Sequence, residues 1–527
     1  MRLISHRGNI LGRNPEKENS PEYITNALDL GFDVEVDIWY VYGKYFLGHD
    51  NPTFEVTKDF IKSIKDRSWF HCKNEDALSN LNDDFDQINF FWHDSDKYTI
   101  TSMGYIWAFP GEKIIKNSII LFPENYPENK NQILLSSGIC SDYIEDYSSY
   151  KNIEKIEHDE YNLLLKIKNP TYDFFTHSKE FKHIENTNIR TFSSKLIPIR
   201  EATDHRSYHG HEDHIFSTII RFNKNKNKLI EENVFIYSFT PRYFHNVVEL
   251  FPKLIKLKKI DPNFVFIFTA WQHEDVEENF LPEYKNDSKD WYYNYIIEFL
   301  NLLNIKHKFI YKENFDEFSF KNSYIFYEKY NEEVDGFNQK WDEHLNVKGY
   351  THCHMFYSPD AVGVTKSLMY MWDFFNGFDN NLNLQQHNSF YPKKIFISRK
   401  NFYSRKDTNI LNKNNKIKEE AVEKVFEENG YHIINMEDFT FLEQLRLSYN
   451  AEVITCFVGA SVLNTFSSNK NIKIFYLNPL NKEYNNELHL KDYYKFIFDI
   501  AGIENSSYDI DMNTLEFSEL RNILSNL

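Results

Sequence analysis

Cysteine is scarce in this 527-residue chain: four residues, at 72, 140, 353 and 456, with no CxxC pair, which excludes a disulfide framework and a thiolate-bound structural zinc. Long apolar runs are missing too. The longest, such as Ile119-Ile120-Leu121-Phe122, fall far short of the about 20 residues that span a bilayer, and Met1-Arg2-Leu3-Ile4 leads straight into a polar motif. No integral membrane segment or signal peptide is expected, and the cytoplasm is the default location. Positive charge is in deficit, with 60 basic against 78 acidic groups and a formal net charge of −18. That excludes nucleic acid as a general partner, because phosphate backbones need a basic face. A phosphate-bearing substrate must instead meet locally placed Arg, Lys, helix N-termini or a metal.

What is present reads as globular: 41% hydrophobic and 26% charged residues, with 35 Tyr and 47 Phe for packing or sugar stacking. The length predicts roughly two to four domains of about 100–200 residues. Residues 1–145 carry short strands ending in polar residues, at Arg2–Ser5, Val34–Ile38, Tyr45–Leu47, Trp69–Cys72 and Ile88–Trp92, which suggests a parallel, barrel-like α/β unit. Residues 146–195 are charged and irregular and read as a linker or small helical insertion. From 196 the α/β rhythm resumes, with strands at Val234–Tyr237 and Phe264–Phe268 and a helix over Asn246–Lys258. The last part predicts a doubly wound sheet, with strands at Lys394–Ser398, Tyr431–Asn435, Glu452–Phe457 and Ile472–Leu477. Its helices fall near 416–429, ending at Gly430, and 440–450, opening on a Thr440 to Glu443 capping box.

Four segments near the N-terminus suit a phosphodiester: Ser5-His6-Arg7-Gly8, Glu18-Asn19-Ser20, Glu35-Val36-Asp37 and Gly48-His49-Asp50. Glu35 and Asp37 stand two apart on a strand, so both carboxylates face one side and can hold a divalent cation. His6 and His49 each follow a short apolar strand, at the C-terminal mouth where barrel sites are built, and can divide base and acid duties. Arg7 can neutralise a phosphate oxygen. In this order the segments resemble the glycerophosphodiester phosphodiesterase family, among the phosphatidylinositol phospholipase C-like barrels. The resemblance implies His6 and His49 as the catalytic pair, Glu35 and Asp37 as metal ligands, and Arg7 and Glu18 as their supports. That family adds a Glu-x-Lys; here His71-Cys72-Lys73 stands in its place, giving His71 as third ligand and Lys73 as phosphate contact. The implied cofactor is a divalent metal, magnesium or calcium, but histidine suits transition metals better and leaves the identity open. The domain is shorter than a full eightfold barrel of about 200 or more residues, so a reduced TIM barrel is expected. Trp92-His93-Asp94-Ser95-Asp96 and the following Thr101–Trp107 segment are candidates to complete the site.

Toward the C-terminus, Lys394–Ser398 runs into Arg399, Lys400 and Arg405, and Val458-Gly459-Ala460-Ser461 joins a strand to a helix. Basic groups and small residues at such strand ends let a nucleotide diphosphate approach the backbone and the positive helix end. The turn is not GxGxxG, and no acidic ribose ligand follows, so a redox dinucleotide is disfavoured. Ile397-Ser398-Arg399, Arg405, Glu419-Glu420, Glu443-Gln444, Gly459-Ala460-Ser461-Val462-Leu463-Asn464 and, upstream, Tyr243–Leu254 resemble glycosyltransferase family 61. Val458 stands where that family has a histidine. The resemblance implies a GT-B pair of Rossmann-like domains, 196–385 on the acceptor side and 386–527 on the donor side. It also implies inverting transfer from a nucleotide sugar with no cofactor required. Arg399, Arg405, Gly459, Ala460, Ser461 and Asn464 are the donor-site candidates, Glu420 a support, and His245 or Glu249 the base.

Asp204-His205, His209, His211 and His214 offer four imidazoles that can bind zinc, though a polar loop is the better reading, as it is for His352 and His354. The leading expectation is an α/β two-part enzyme of surface or capsular polysaccharide assembly. It would take a nucleotide sugar donor and a glycan or phosphoglycan acceptor, with peripheral association to a membrane assembly complex as its membrane contact. Two rivals stay open: an active transferase whose barrel only binds phosphoglycan, and a scaffold with both sites dead.

Overall fold

The computed structural model describes residues 1–126, 133–158, 162–174, 196–199, 218–222, 228–238, 250–269, 291–310, 312–328, 369–375, 391–398, 410–458, 471–479, 495, 498–499, 501–512, 514 and 517–526. It divides into two compact units: Met1–Glu201 with His211–Phe235 and Glu313–Tyr330, and Ala202–Gly210 with Ile236–Lys312 and Asn331–Leu527. Among the described residues no helix is long and apolar enough to cross a membrane.

The first unit opens with β1 (Arg2–His6), α1 (Pro21–Asp29), β2 (Asp33–Val41), β3 (Lys44–Leu47), β4 (Phe54–Val56), α2 (Lys58–Ile64), β5 (Ser68–Cys72), α3 (Glu75–Asp84), β6 (Phe90–Phe91), β7 (Tyr98–Ile100), β8 (Ile106–Ala108), β9 (Ser118–Leu121) and β10 (Gly138–Ser141). Each helix starts where a polar side chain caps it: Ser20, Thr57 and Asn74 accept from the amides of Tyr23, Phe60 and Ala77. Seven strands, in the order β6-β5-β2-β1-β10-β9-β8, pair parallel throughout, and β3, β4 and β7 add antiparallel edges. Ile4, Trp69, Phe91, Trp107, Ile119, Leu121 and Cys140 form one buried cluster, and the rings of Phe91 and Trp107 lie 4.5 Å apart. Strands from both ends of the ladder supply that cluster, so the sheet curls on itself and its C-terminal strand ends share one rim. Register places His6 beside Glu35 and Asp37 beside His71.

Beyond these lie β11 (Ile153–His158), β12 (Asn162–Lys168), β13 (Pro170–Phe174), β14 (Leu196–Ile199), β15 (Thr218–Phe222), β16 (Lys228–Ser238), β17 (Val265–Thr269), β18 (Lys306–Phe309) and β19 (Phe318–Glu328). Three strands thus fall where a linker or helical insertion was expected from the sequence. β11-β12-β19-β16 form a ladder and β13-β15-β14 a small antiparallel sheet. The charge that suggested a linker lies on the solvent side of β11 and β12. Glu154, Glu157 and Lys168 are exposed while Ile153, Leu163, Leu165 and Ile167 are buried, as in an antiparallel sheet wetted on one face.

In the second unit β17 and β18 pair parallel. The helices Phe251–Ile260 and Trp291–Leu302 meet Phe441 through rings: Phe251 stacks on Phe299 at 3.8 Å, and Phe441 lies 5.6 Å from Phe251. A five-stranded sheet of β20 (Lys394–Ile397), β21 (His432–Ile434), β22 (Val453–Phe457), β23 (Lys473–Pro479) and β24 (Glu504–Ile510) is parallel throughout, in the order β21-β20-β22-β23-β24. This is a doubly wound order in which the direction of winding reverses between β20 and β22. The helix Ile410–Glu428 buries Val422, Val425 and Phe426 on one face and ends at Gly430, whose φ of +81° favours glycine. The helix Phe441–Asn450 opens on the Thr440 and Glu443 capping box expected from the sequence.

Phe426 is fully buried with its ring 4.5 Å from Phe396 and 5.1 Å from Tyr431. Phe426→Ala is expected to destabilise the second unit by about 3–5 kcal/mol in urea unfolding. Leu11→Ala, at a site 76% exposed, is expected to stay within about 0.5 kcal/mol.

Candidate functional site

The rim of the curled sheet collects the charged residues of the first unit. Arg7 follows β1 with φ +54° and Gly8 with φ +91°, so the chain reverses and returns the guanidinium into the site; a Cβ at Gly8 would lie 2.7 Å from Tyr23 Cδ1. Asp37 has no solvent exposure. Its Oδ2 accepts from Asn19 Nδ2 at 2.9 Å and lies 2.9 Å from Arg7 Nε, an ionic contact outside hydrogen-bond alignment. Asn19 also accepts from the Asp37 amide at 3.0 Å. Asp37 Oδ1 stands 3.2 Å from His71 Nδ1 and 3.7 Å from Lys73 Nζ. Glu35, 2% exposed, places Oε1 3.6 Å from His71 Nδ1 and Oε2 3.9 Å from His6 Nε2.

Among the described residues, Glu35, Asp37 and His71 each offer a ligand atom, all within 4.8 Å of one another. Glu35 Oε2 and Asp37 Oδ1 are buried with no hydrogen-bond partner. Two buried carboxylate oxygens that accept no hydrogen bond and stand beside an imidazole nitrogen are a donor set that fits a cation. The far side of His71 supports the fit. Its Nε2 donates to the His93 carbonyl at 2.9 Å, which leaves the Nδ1 lone pair of the neutral ring free to bind a cation beside the carboxylates.

Electrostatics follow from this crowding. Burial alone would raise the Asp37 pKa, yet His71, Arg7 and Lys73 together hold it well below the usual carboxylate range. For His71, burial lowers the pKa but Asp37 and Glu35 outweigh it and raise it to about 9. Arg7 keeps its proton more firmly than usual: burial opposes the charge, and Asp37 and Glu35 more than offset that.

His6 carries a second connection. Its Nδ1 is 2.7 Å from Asp142 Oδ1, so as a donor there it presents the Nε2 lone pair to the site. Asn9 Nδ2 bridges Asp142 Oδ1 at 2.8 Å and Glu18 Oε1 at 3.0 Å, and Glu18 Oε2 accepts from Arg7 at 3.2 Å. Asp142, Asn9 and Glu124 did not stand out in the sequence. The signal for Asp142 was a short apolar strand ending in Ser-Asp. Glu124 accepts from Ser141 Oγ at 2.7 Å and Tyr147 at 3.1 Å, fixing the end of β10. His49 follows Gly48, whose amide donates to the Asp37 carbonyl at 3.1 Å. Gly48 has φ +144°, and a Cβ there would meet the Asn51 carbonyl at 2.2 Å. The His49 ring is half-exposed and pairs with Asp50 at 2.6 Å. The Trp92–Asp96 segment reaches the site through the His93 carbonyl, while Trp107 lies in the core.

In the second unit, Ile397 at the end of β20 is level with Cys456 near the end of β22. Ser398 and Val458 therefore leave neighbouring strands at the winding reversal, and Ser398 bonds the buried Glu423. Glu419 is buried and Glu420 exposed. Arg399, Arg405, Gly459, Ala460, Ser461, Asn464, His245 and Glu249 lie outside the described residues, as do His205, His209, His211, His214, His352 and His354. A family model described as Glycosyltransferase 61 matches residues 118–475, more than half of the chain. No curated protein matches it.

A divalent cation held by Glu35, Asp37 and His71 would have to displace the proton that the two carboxylates favour on the ring up to about pH 9. Below pH 9 binding is expected to release about one proton and to tighten roughly tenfold per pH unit. Calorimetry in buffers of different ionisation heat reads this directly, and proton-neutral binding would place the cation away from His71.

Proposed function

The chain belongs to glycosyltransferase family 61, and from that premise we propose that it moves a sugar from a nucleotide donor onto a surface or capsular glycan with inversion, in a GT-B arrangement, while its first unit, read as a reduced barrel, cleaves a phosphodiester in a related substrate. The observation that carries the transferase part is the winding reversal between β20 and β22, where α/β sheets take ligands. The strands that lead into Arg399 and Gly459 are neighbours there. The two arginines and the backbone amides of the 459–461 turn then stabilise the departing diphosphate, and His245 or Glu249 takes the acceptor proton.

For the first unit the supporting observation is the convergence of Glu35, Asp37, His71, His6, Arg7 and Lys73 on one rim. A cation held by Glu35, Asp37 and His71 would polarise the phosphoryl oxygen and neutralise its charge. Arg7 and Lys73 orient the phosphate. His6, held by Asp142, accepts a proton at Nε2, and His49 at the exposed edge supplies one to the leaving oxygen. A site that only binds phosphoglycan would need the cations but not the His6 imidazole held by Asp142.

Cleavage of a chromogenic phosphodiester with added divalent cations tests the first unit, and nucleoside diphosphate release across a panel of sugar donors tests the second. Glu35→Ala or Asp37→Ala is expected to abolish cleavage and leave glycosyl transfer intact. His6→Ala and His49→Ala are expected to bind the cation and stop turnover; near wild-type cleavage in either removes the acid/base assignment.

Losing one charge-assisted phosphate contact costs about 1.5–3 kcal/mol. Arg399→Ala and Arg405→Ala are therefore expected to weaken uridine or guanosine diphosphate binding roughly ten- to a hundredfold without unfolding. Unchanged affinity in both would move the donor site elsewhere.

A further inference from the structure

The cation cradle of the first unit has one nitrogen where an all-oxygen cradle would have a third carboxylate. The geometry points to a borderline transition cation, of the manganese, cobalt or zinc class, as its occupant in preference to magnesium or calcium, with His71 Nδ1 as the ligand that selects it. This inference rests on the phosphodiester reading of the same site and concerns what that site holds.

Three observations carry it. The nitrogen donor is locked in place: Nε2 is tied to the His93 carbonyl at 2.9 Å, and the ring stacks on Phe91 at 5.0 Å and 8° between planes. The imidazole cannot swing aside for a water ligand without breaking both contacts. Oxygen donors are few, because Asp37 Oδ2 is engaged by Asn19 and Arg7 and only Oδ1 remains open. Calcium takes about 6–8 oxygen ligands, and among the described residues the cradle offers Asp37 Oδ1 and the Glu35 carboxylate beside the imidazole. The nitrogen also stands close to both carboxylates. His71 Nδ1 is 3.2 Å from Asp37 Oδ1 and 3.6 Å from Glu35 Oε1. Imidazole with carboxylate is a donor set that binds transition cations well, and the hydrogen-bonded Nε2 raises the basicity of Nδ1.

Any nitrogen or oxygen site favours transition metals to some degree, so the test is the change in preference rather than the preference itself. Dissociation constants of the full chain for Mn2+, Co2+, Mg2+ and Ca2+ would be measured by calorimetry for the wild type and for His71→Glu. The preference for Mn2+ over Mg2+ is expected to fall at least tenfold in His71→Glu. Pulsed electron paramagnetic resonance of the Mn2+-loaded wild type, which needs no variant to fold, is expected to show coupling to a directly bound nitrogen. That coupling is expected to vanish in Asp37→Asn, which separates this site from imidazoles elsewhere in the chain. An unchanged preference in a folded His71→Glu, or no bound nitrogen, or coupling that persists in Asp37→Asn, overturns the assignment. Nitrogen-coupled Mn2+ with no phosphodiester cleaved leaves the assignment standing and removes the hydrolase reading instead.

Discussion

A carboxylate with no solvent exposure keeps its charge only if fixed partners replace water, and Asp37 is surrounded by them. Asn19 and Arg7 take one oxygen; His71 and Lys73 face the other. The left-handed backbone at Arg7 and Asn19 turns both side chains onto this one group, and the Gly48 amide holds the Asp37 backbone carbonyl. Stripping a partner from such a buried charge costs about 3–5 kcal/mol, so the rim is held together by the same contacts that equip it for chemistry.

The acidic balance of the chain and its reading as a phosphate-handling protein are reconciled locally. Arg7 and Lys73 are not free surface cations; they are set against Asp37 and Glu18. A cation between Glu35, Asp37 and His71 would cancel the carboxylate charge and release these two groups to face an anion. In the second unit two strand ends come together at a winding reversal, the place where open α/β sheets take ligands.

Much of this was legible in the sequence where the signal is local. The carboxylate pair on β2 follows from a two-residue period, the helix ending at Gly430 from its capping residue, and the parallel sheet of the second unit from buried runs separated by helical spacing. His6, Glu35, Asp37 and His71 could be picked out because each ends or lies on a short apolar strand. Asp142 could not: its partner His6 is 136 residues away in sequence, and only the closure of β10 onto β1 brings them together. Asn9 was passed over because an asparagine after a turn is ordinarily a turn residue, and only the fold sets it between two carboxylates. The strands at β11 and β12 were misread because charged residues on their wet face hid the apolar residues on the other.

Anomalous diffraction from crystals of the full chain soaked in Mn2+ locates the ion without reference to activity. One peak is expected on the rim, within about 2.0–2.3 Å of Asp37 Oδ1, a Glu35 oxygen and His71 Nδ1. A rim without a peak, with the Arg7 or Lys73 side chain filling the space between the three ligand atoms, would contradict it.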